Sequence, residues 1–141
     1  MEIINQYHYA VAILIARLFL GFLFFFQGYD AVFKIKIKNV VETYQITFQK
    51  SGIAKILTVC GAWFTSCTAL ICGFLLVIGL FECLSLYLLG INLIITAIGF
   101  GINTAMWDTR FVFPRLLLLL LLLLVPPNWD LWSFDNLFFK P

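Results

Sequence analysis

Charge is what this chain has least of: nine Lys or Arg and seven Asp or Glu in 141 residues, 11% in all, where soluble domains carry about a quarter. With 63% of residues hydrophobic, the composition excludes an ordinary soluble fold. The length leaves no room for a soluble domain beside membrane spans, so residues 1–141 form a single integral-membrane domain. Histidine occurs once, at His8, which excludes a haem held by two histidines. Four cysteines, Cys60, Cys67, Cys72 and Cys83, form no C-x-x-C motif and no ligand set with His8, so no metal site is expected. Those that share a helical face are seven or more residues apart, at least ~10 Å, beyond disulfide reach. A net charge of +2 gives no reason to expect nucleic acid. The opening MEIINQYHY has no basic leader and no small-residue cleavage site after the first apolar run, so a retained first span is expected.

What is present is a series of long apolar runs. They predict an all-α fold, a polytopic membrane four-helix bundle with spans at about 9–33, 56–81, 84–101 and 111–125 and an interfacial tail over 126–141. Residues 1–8 read as a short polar cap. The first run extends ~37 Å as a helix against a hydrocarbon core of ~30 Å. Between the first two spans, Val40, Val41, Tyr44 and Phe48 recur at helical spacing among Lys36, Lys38, Glu42 and Lys50, the pattern of an amphipathic helix on the membrane surface. Spans two and three are joined by Phe81-Glu82-Cys83, short enough to force an antiparallel hairpin. The last span is mostly nine consecutive leucines, Leu116 to Leu124, entered through Pro114 and stopped by Pro126 and Pro127. Such a helix carries no site of its own.

The few polar residues inside these runs are the candidates for function. Arg17 shares a narrow sector of the first helix with Ala10, Gly21 and Gly28, a seam on which a neighbouring helix can approach. A charge there must face protein. Counted from the outer surface, Arg17 and Asn92 come to a similar depth, and a guanidinium beside an amide could bind an anionic or carbonyl-bearing headgroup. An ion pair of Arg17 with Glu82, Asp130 or Asp135 that locks the bundle is the alternative. On the third span Ser85, Asn92, Thr96, Gly99 and Asn103 form one polar stripe suited to interhelical hydrogen bonds. Nearer the other face, Gln27, Asp30, Trp63, Thr65, Asn103, Asp108 and Arg115 gather amides among aromatic and aliphatic walls. That is what a quinone needs, an apolar ring with two hydrogen-bond-accepting carbonyls. The same residues could instead tie helix ends together.

Basic residues set the orientation. Lys34, Lys36, Lys38, Lys50, Lys55, Arg110 and Arg115 fall on one side and Lys140 alone outside the membrane on the other. Both termini are therefore expected outside, with the 1–2 and 3–4 loops in the cytoplasm.

Several runs resemble a known family. Arg17-Leu18-Phe19-Leu20-Gly21, Gln27-Gly28 ahead of Lys34, the run from Gly73 through Gly79 to Phe81, and Trp132-Ser133-Phe134-Asp135 near the end are similar to the DoxX family of four-helix membrane proteins. Relatives in that family include membrane subunits of quinone-linked oxidoreductases and accessory or chaperone-like proteins. Where many members have an acidic residue before the glycine equivalent to Gly73, this chain has Thr68-Ala69, and it has Gln27 and Asn103 where a titratable group is common. Amides bind a carbonyl but do not move protons as general acids or bases at neutral pH. The resemblance implies an accessory subunit of a membrane redox complex that contacts the quinone pool, with no tightly bound cofactor and its electrons supplied by a protein partner in a bacterial cytoplasmic membrane. A structural or assembly protein and a stand-alone quinone-dependent oxidoreductase are the alternatives. The ligand-binding candidates are Arg17, Asn92, Gln27, Asn103 and Arg115, no catalytic residue is assigned, and Gly21, Gly28, Gly73 and Gly79 are the packing glycines.

Overall fold

The computed structural model describes residues 2–48, 55–103 and 112–126, and helices are the only regular elements among them. In order they are α1 (Glu2–Tyr29), which continues through a turn of π-helix (Asp30–Lys34), α2 (Ile37–Phe48), α3 (Lys55–Ile78), α4 (Glu82–Asn103) and α5 (Val112–Leu124). Among the described residues, three stretches are long and apolar enough to cross a membrane: Tyr7–Lys34, Lys55–Ile78 and Glu82–Gly99. The leucine-rich α5 is a shorter apolar helix of 13 residues, ~20 Å at 1.5 Å per residue. The tail over residues 127–141 and the segments 49–54 and 104–111 lie outside the described residues, and with them Asp108, Arg110, Asp130 and Asp135.

Two expected boundaries move. Residues 2–8, expected to be a polar cap, belong to α1, because no glycine or proline between Glu2 and Tyr9 interrupts the helix. The hairpin expected at Phe81-Glu82-Cys83 is instead made by Gly79-Leu80-Phe81. Gly79 takes φ +78°, the left-handed conformation that ends a helix at least cost in glycine. The Leu75 carbonyl accepts from both Gly79 N–H (2.8 Å) and Leu80 N–H (3.0 Å), which closes α3 in the manner of a Schellman end. Glu82 becomes the first residue of α4, where a carboxylate is favoured by the helix dipole.

Helix α1 packs most extensively on α3. Its buried positions Ala10, Ile13, Arg17, Leu20, Gly21, Phe24 and Gly28 recur every three or four residues, a single seam along the helix. The two helices run antiparallel: Gly21 faces Gly73 and Val77, Phe25 faces Gly73, and Gly28 faces Leu70. They approach so closely that a Cβ at Gly73 would stand 2.5 Å from the backbone nitrogen of Phe25. At Gly28 it would stand 2.6 Å from the Cα of Leu70. Small residues at such crossings let the backbones meet and give van der Waals contact where lipid supplies no hydrophobic drive. Around this pair Leu20, Phe24, Leu76, Leu86, Leu89, Leu93, Leu119 and Leu122 form one apolar core. In α5, Leu119 and Leu122 face inward while Leu117, Leu120, Leu121 and Leu124 are exposed.

Candidate functional site

Polar side chains collect at two levels of the helical assembly. The first is the α3–α4 turn. Arg17 is 2% exposed and its guanidinium lies over Gly79, so near that a Cβ there would sit 3.0 Å from the Arg17 Cζ. Its Nη1 is 3.8 Å from Glu82 Oε2, the ion-pair alternative weighed for this residue. Ser85, one turn into α4, is also buried, and its hydroxyl has no hydrogen-bond partner.

Asn92 does not join them. It lies ten residues beyond Glu82 along α4, ~15 Å, and its side-chain amide donates to the Thr65 carbonyl of α3 at 2.9 Å. Thr96 Oγ1 donates to the Asn92 carbonyl at 2.8 Å and stands 3.3 Å from Asn92 Oδ1. The expected pairing of Arg17 with Asn92 at one depth therefore fails. Depth had been counted from the helix starts, and Arg17 is instead level with the α3–α4 turn. A wholly buried amide has to be satisfied within the protein, and Asn92 meets this by joining α4 to α3.

The second level lies at the other end of α1. Arg115 of α5 donates a hydrogen bond to Gln27 Oε1, and its Cζ stands 5.6 Å from the centroid of the Phe24 ring, within cation–π range. Arg115 has no acceptor atoms, so this bond fixes the Gln27 amide with its oxygen toward the guanidinium. One turn on, Asp30 opens the π-helical segment, and its Oδ1 receives Lys34 Nζ at 2.7 Å in a solvent-facing pair. The π turn is marked by Ile35 N–H bonding the Asp30 carbonyl, five residues back, at 2.8 Å. Turns of this kind occur disproportionately at functional sites. Lys36 follows with φ +66°, reversing the chain so that α2 lies back against α3.

Between these elements is a pocket of about 280 Å³. Gln27, Asp30, Ala31 and Ile35 come from α1 and its π turn, and Val40 and Tyr44 from α2. Thr65, Ser66 and Ala69 of α3 and Thr96 of α4 complete the lining. Four helical segments thus supply apolar walls with a few convergent polar groups, the usual composition of a small-molecule site.

Of the residues expected here, Gln27, Asp30 and Thr65 line the pocket and Arg115 orients Gln27. Trp63 does not: it is exposed on another face of α3. The Asn103 side chain and Asp108 lie outside the described residues. Tyr44, Ser66 and Thr96 were not expected. Thr96 belonged to the polar stripe of the third span, which hinted at a role. Tyr44 carried only the signal of an apolar position on a surface helix, and Ser66 carried none. No group of three or more His, Cys, Asp or Glu among the described residues is arranged to hold a metal ion. No family model, curated protein or solved structure matches this chain.

Proposed function

We propose that this chain is a DoxX-like four-helix membrane bundle, with α1, α3, α4 and α5 across the bilayer and α2 on its surface. In this reading it serves as an accessory subunit of a membrane redox complex and holds a quinone-class ring in the pocket beside Gln27. The observation that carries this reading is the Gln27–Arg115 bond at the pocket wall. With its oxygen engaged, the amide has its N–H groups left for a ring carbonyl. The volume of about 280 Å³, just below the ~300–1,000 Å³ usual for ligand sites, suits a single ring whose tail leaves toward lipid. Electrons come from a partner protein, since an amide holds a carbonyl without exchanging electrons with it.

The basic residues Lys34, Lys36, Lys38, Lys55 and Arg115 mark the pocket end as cytoplasmic, which puts the α3–α4 turn outside. Purification of the native complex in mild detergent tests the role: copurifying redox subunits with cofactors, together with quinone crosslinked to this chain near Gln27, support it. Turnover of quinone by the isolated chain, abolished by Gln27→Leu, would make it an enzyme instead.

A second reading, a structural or assembly protein, is favoured by the way Asn92 is used. Its amide bonds the backbone of α3 and is not presented to a ligand. Quinone binding by the purified chain separates the two readings.

A further inference from the structure

The bend between α1 and α2 holds a lysine in a conformation that suits its residue type poorly. Lys36 takes φ +66°, the left-handed region that crowds a Cβ against the following carbonyl and that glycine enters freely. The Lys36 carbonyl closes the bend, accepting from Asn39 N–H at 3.0 Å and Val40 N–H at 3.2 Å, and the carbonyl of any residue would serve there. The side chain is exposed, so burial does not hold it in place. A glycine would make the same bend with less strain, and a strained residue that persists points to a use for its side chain outside the fold.

The surroundings say which use. Phe33, Lys34, Ile35 and Lys36 are exposed in succession, and Lys38 after them. Lys34 is engaged by Asp30 at 2.7 Å, and the next carboxylate along the chain, Glu42, comes four residues after Lys38 on α2. Beside the lysines, Tyr29 and Phe33 are 41% and 59% exposed, with ring centroids 4.9 Å apart. All of this stands where the run Tyr7–Lys34, long and apolar enough to cross a membrane, comes to its end. At that level a bilayer presents phosphate headgroups directly above its acyl chains. Aromatic rings settle at this boundary, and lysine stems lie along apolar surface while their ammonium groups reach the phosphates.

We propose that the bend over residues 33–38 is a binding site for an anionic phospholipid, with Lys36 and Lys38 as the cations for its phosphate and the Tyr29–Phe33 pair against its acyl chains. The proposal is independent of what the ring pocket binds.

The test is lipid binding to the full chain in a mild zwitterionic detergent, read by native mass spectrometry with phosphatidylglycerol and, separately, phosphatidylcholine. Phosphatidylglycerol is expected to bind about twenty-five-fold more tightly, from about fivefold for each of two lysines at an anionic headgroup. The double variant Lys36→Gln with Lys38→Gln should bring the ratio near one at an unchanged melting temperature, since both side chains are exposed. Lys36→Gly relieves the backbone: it should raise the melting temperature in lipid-free detergent and still lower the lipid ratio about fivefold, a combination that a merely structural lysine would not give. Equal binding of the two lipids to the wild type, or a ratio unmoved by the double variant or by Lys36→Gly, overturns the proposal. So does displacement of bound phosphatidylglycerol by an equal concentration of inorganic phosphate, which would assign the lysines to a soluble anion.

Discussion

Two arginines, ten or more residues into their helices or near a helix start, do different work at the two ends of the molecule. Arg17 is buried between a left-handed glycine and the first carboxylate of α4. Arg115 is half-buried, bonded to a neutral amide and placed over a phenyl ring beside a pocket. A buried guanidinium set between the turn of one helix pair and a carboxylate holds helices in register. One that orients another polar group toward open volume shapes what that volume will accept. The same residue type is thus a lock at the turn and a positioning group at the pocket, and the surroundings decide which.

The largest expected effect falls on neither arginine but on the crossing that holds the two levels in register. Gly28→Val puts carbon atoms into the backbone of Leu70, where not even a Cβ has space. Interiors cannot absorb an overlap with main chain, so this variant is expected to yield no folded protein by size-exclusion chromatography in mild detergent. Near-normal recovery would mean that α1 and α3 stand farther apart.

Next comes Arg17→Ala, which leaves Glu82 without its cation. Removing one partner of a buried pair typically costs ~3 kcal/mol or more, so a clearly lower melting temperature is expected. A melting temperature equal to the wild type would show that Arg17 is solvated and the turn is not locked by it.

Gly79→Ala should come third. The left-handed conformation costs a residue with a Cβ roughly 1–2 kcal/mol, and the added methyl also presses on the Arg17 guanidinium. Combined with Arg17→Ala, its cost should fall, because that contact is gone; full additivity would separate the glycine from the arginine. Smallest is Leu120→Ala on α5. The side chain is 44% exposed and outside the apolar core, and a change within about 0.5 kcal/mol is expected. A loss like that of a core leucine would mean that this face of α5 is covered.

The helical runs were legible because hydropathy and length speak directly to spans, and the seam of Arg17, Gly21 and Gly28 followed from a 100° wheel. The hairpin is displaced by two residues from the Phe81-Glu82-Cys83 connection expected between the two apolar runs. The true signal was Gly79, an ordinary residue in an apolar run until its φ is known. Arg17 and Asn92 were wrongly set side by side because depth was counted from helix starts, and the described helix begins seven residues earlier than the expected span. At the pocket, Gln27, Asp30, Thr65 and Arg115 could be gathered from their position near one face. Ser66 and Tyr44 could not, because they reach the pocket through the rotation of α3 and the return of α2 after Lys36. The π turn itself has no signature in DAVFK.

The contrast between lock and positioning group is tested most directly by one set of thermal melts in detergent. Wild type, Arg17→Gln and Arg115→Gln are each melted with and without a saturating decyl-substituted benzoquinone. A ligand bound at a hundred times its Kd stabilises the folded state by about 2.7 kcal/mol, enough to raise the melting temperature visibly. The account predicts that Arg17→Gln melts well below the wild type but keeps a ligand-induced rise in whatever fraction folds, whereas Arg115→Gln melts close to the wild type and loses most of that rise. An Arg115→Gln variant with the full ligand-induced rise, or an Arg17→Gln variant with a wild-type melt and no rise, would contradict it.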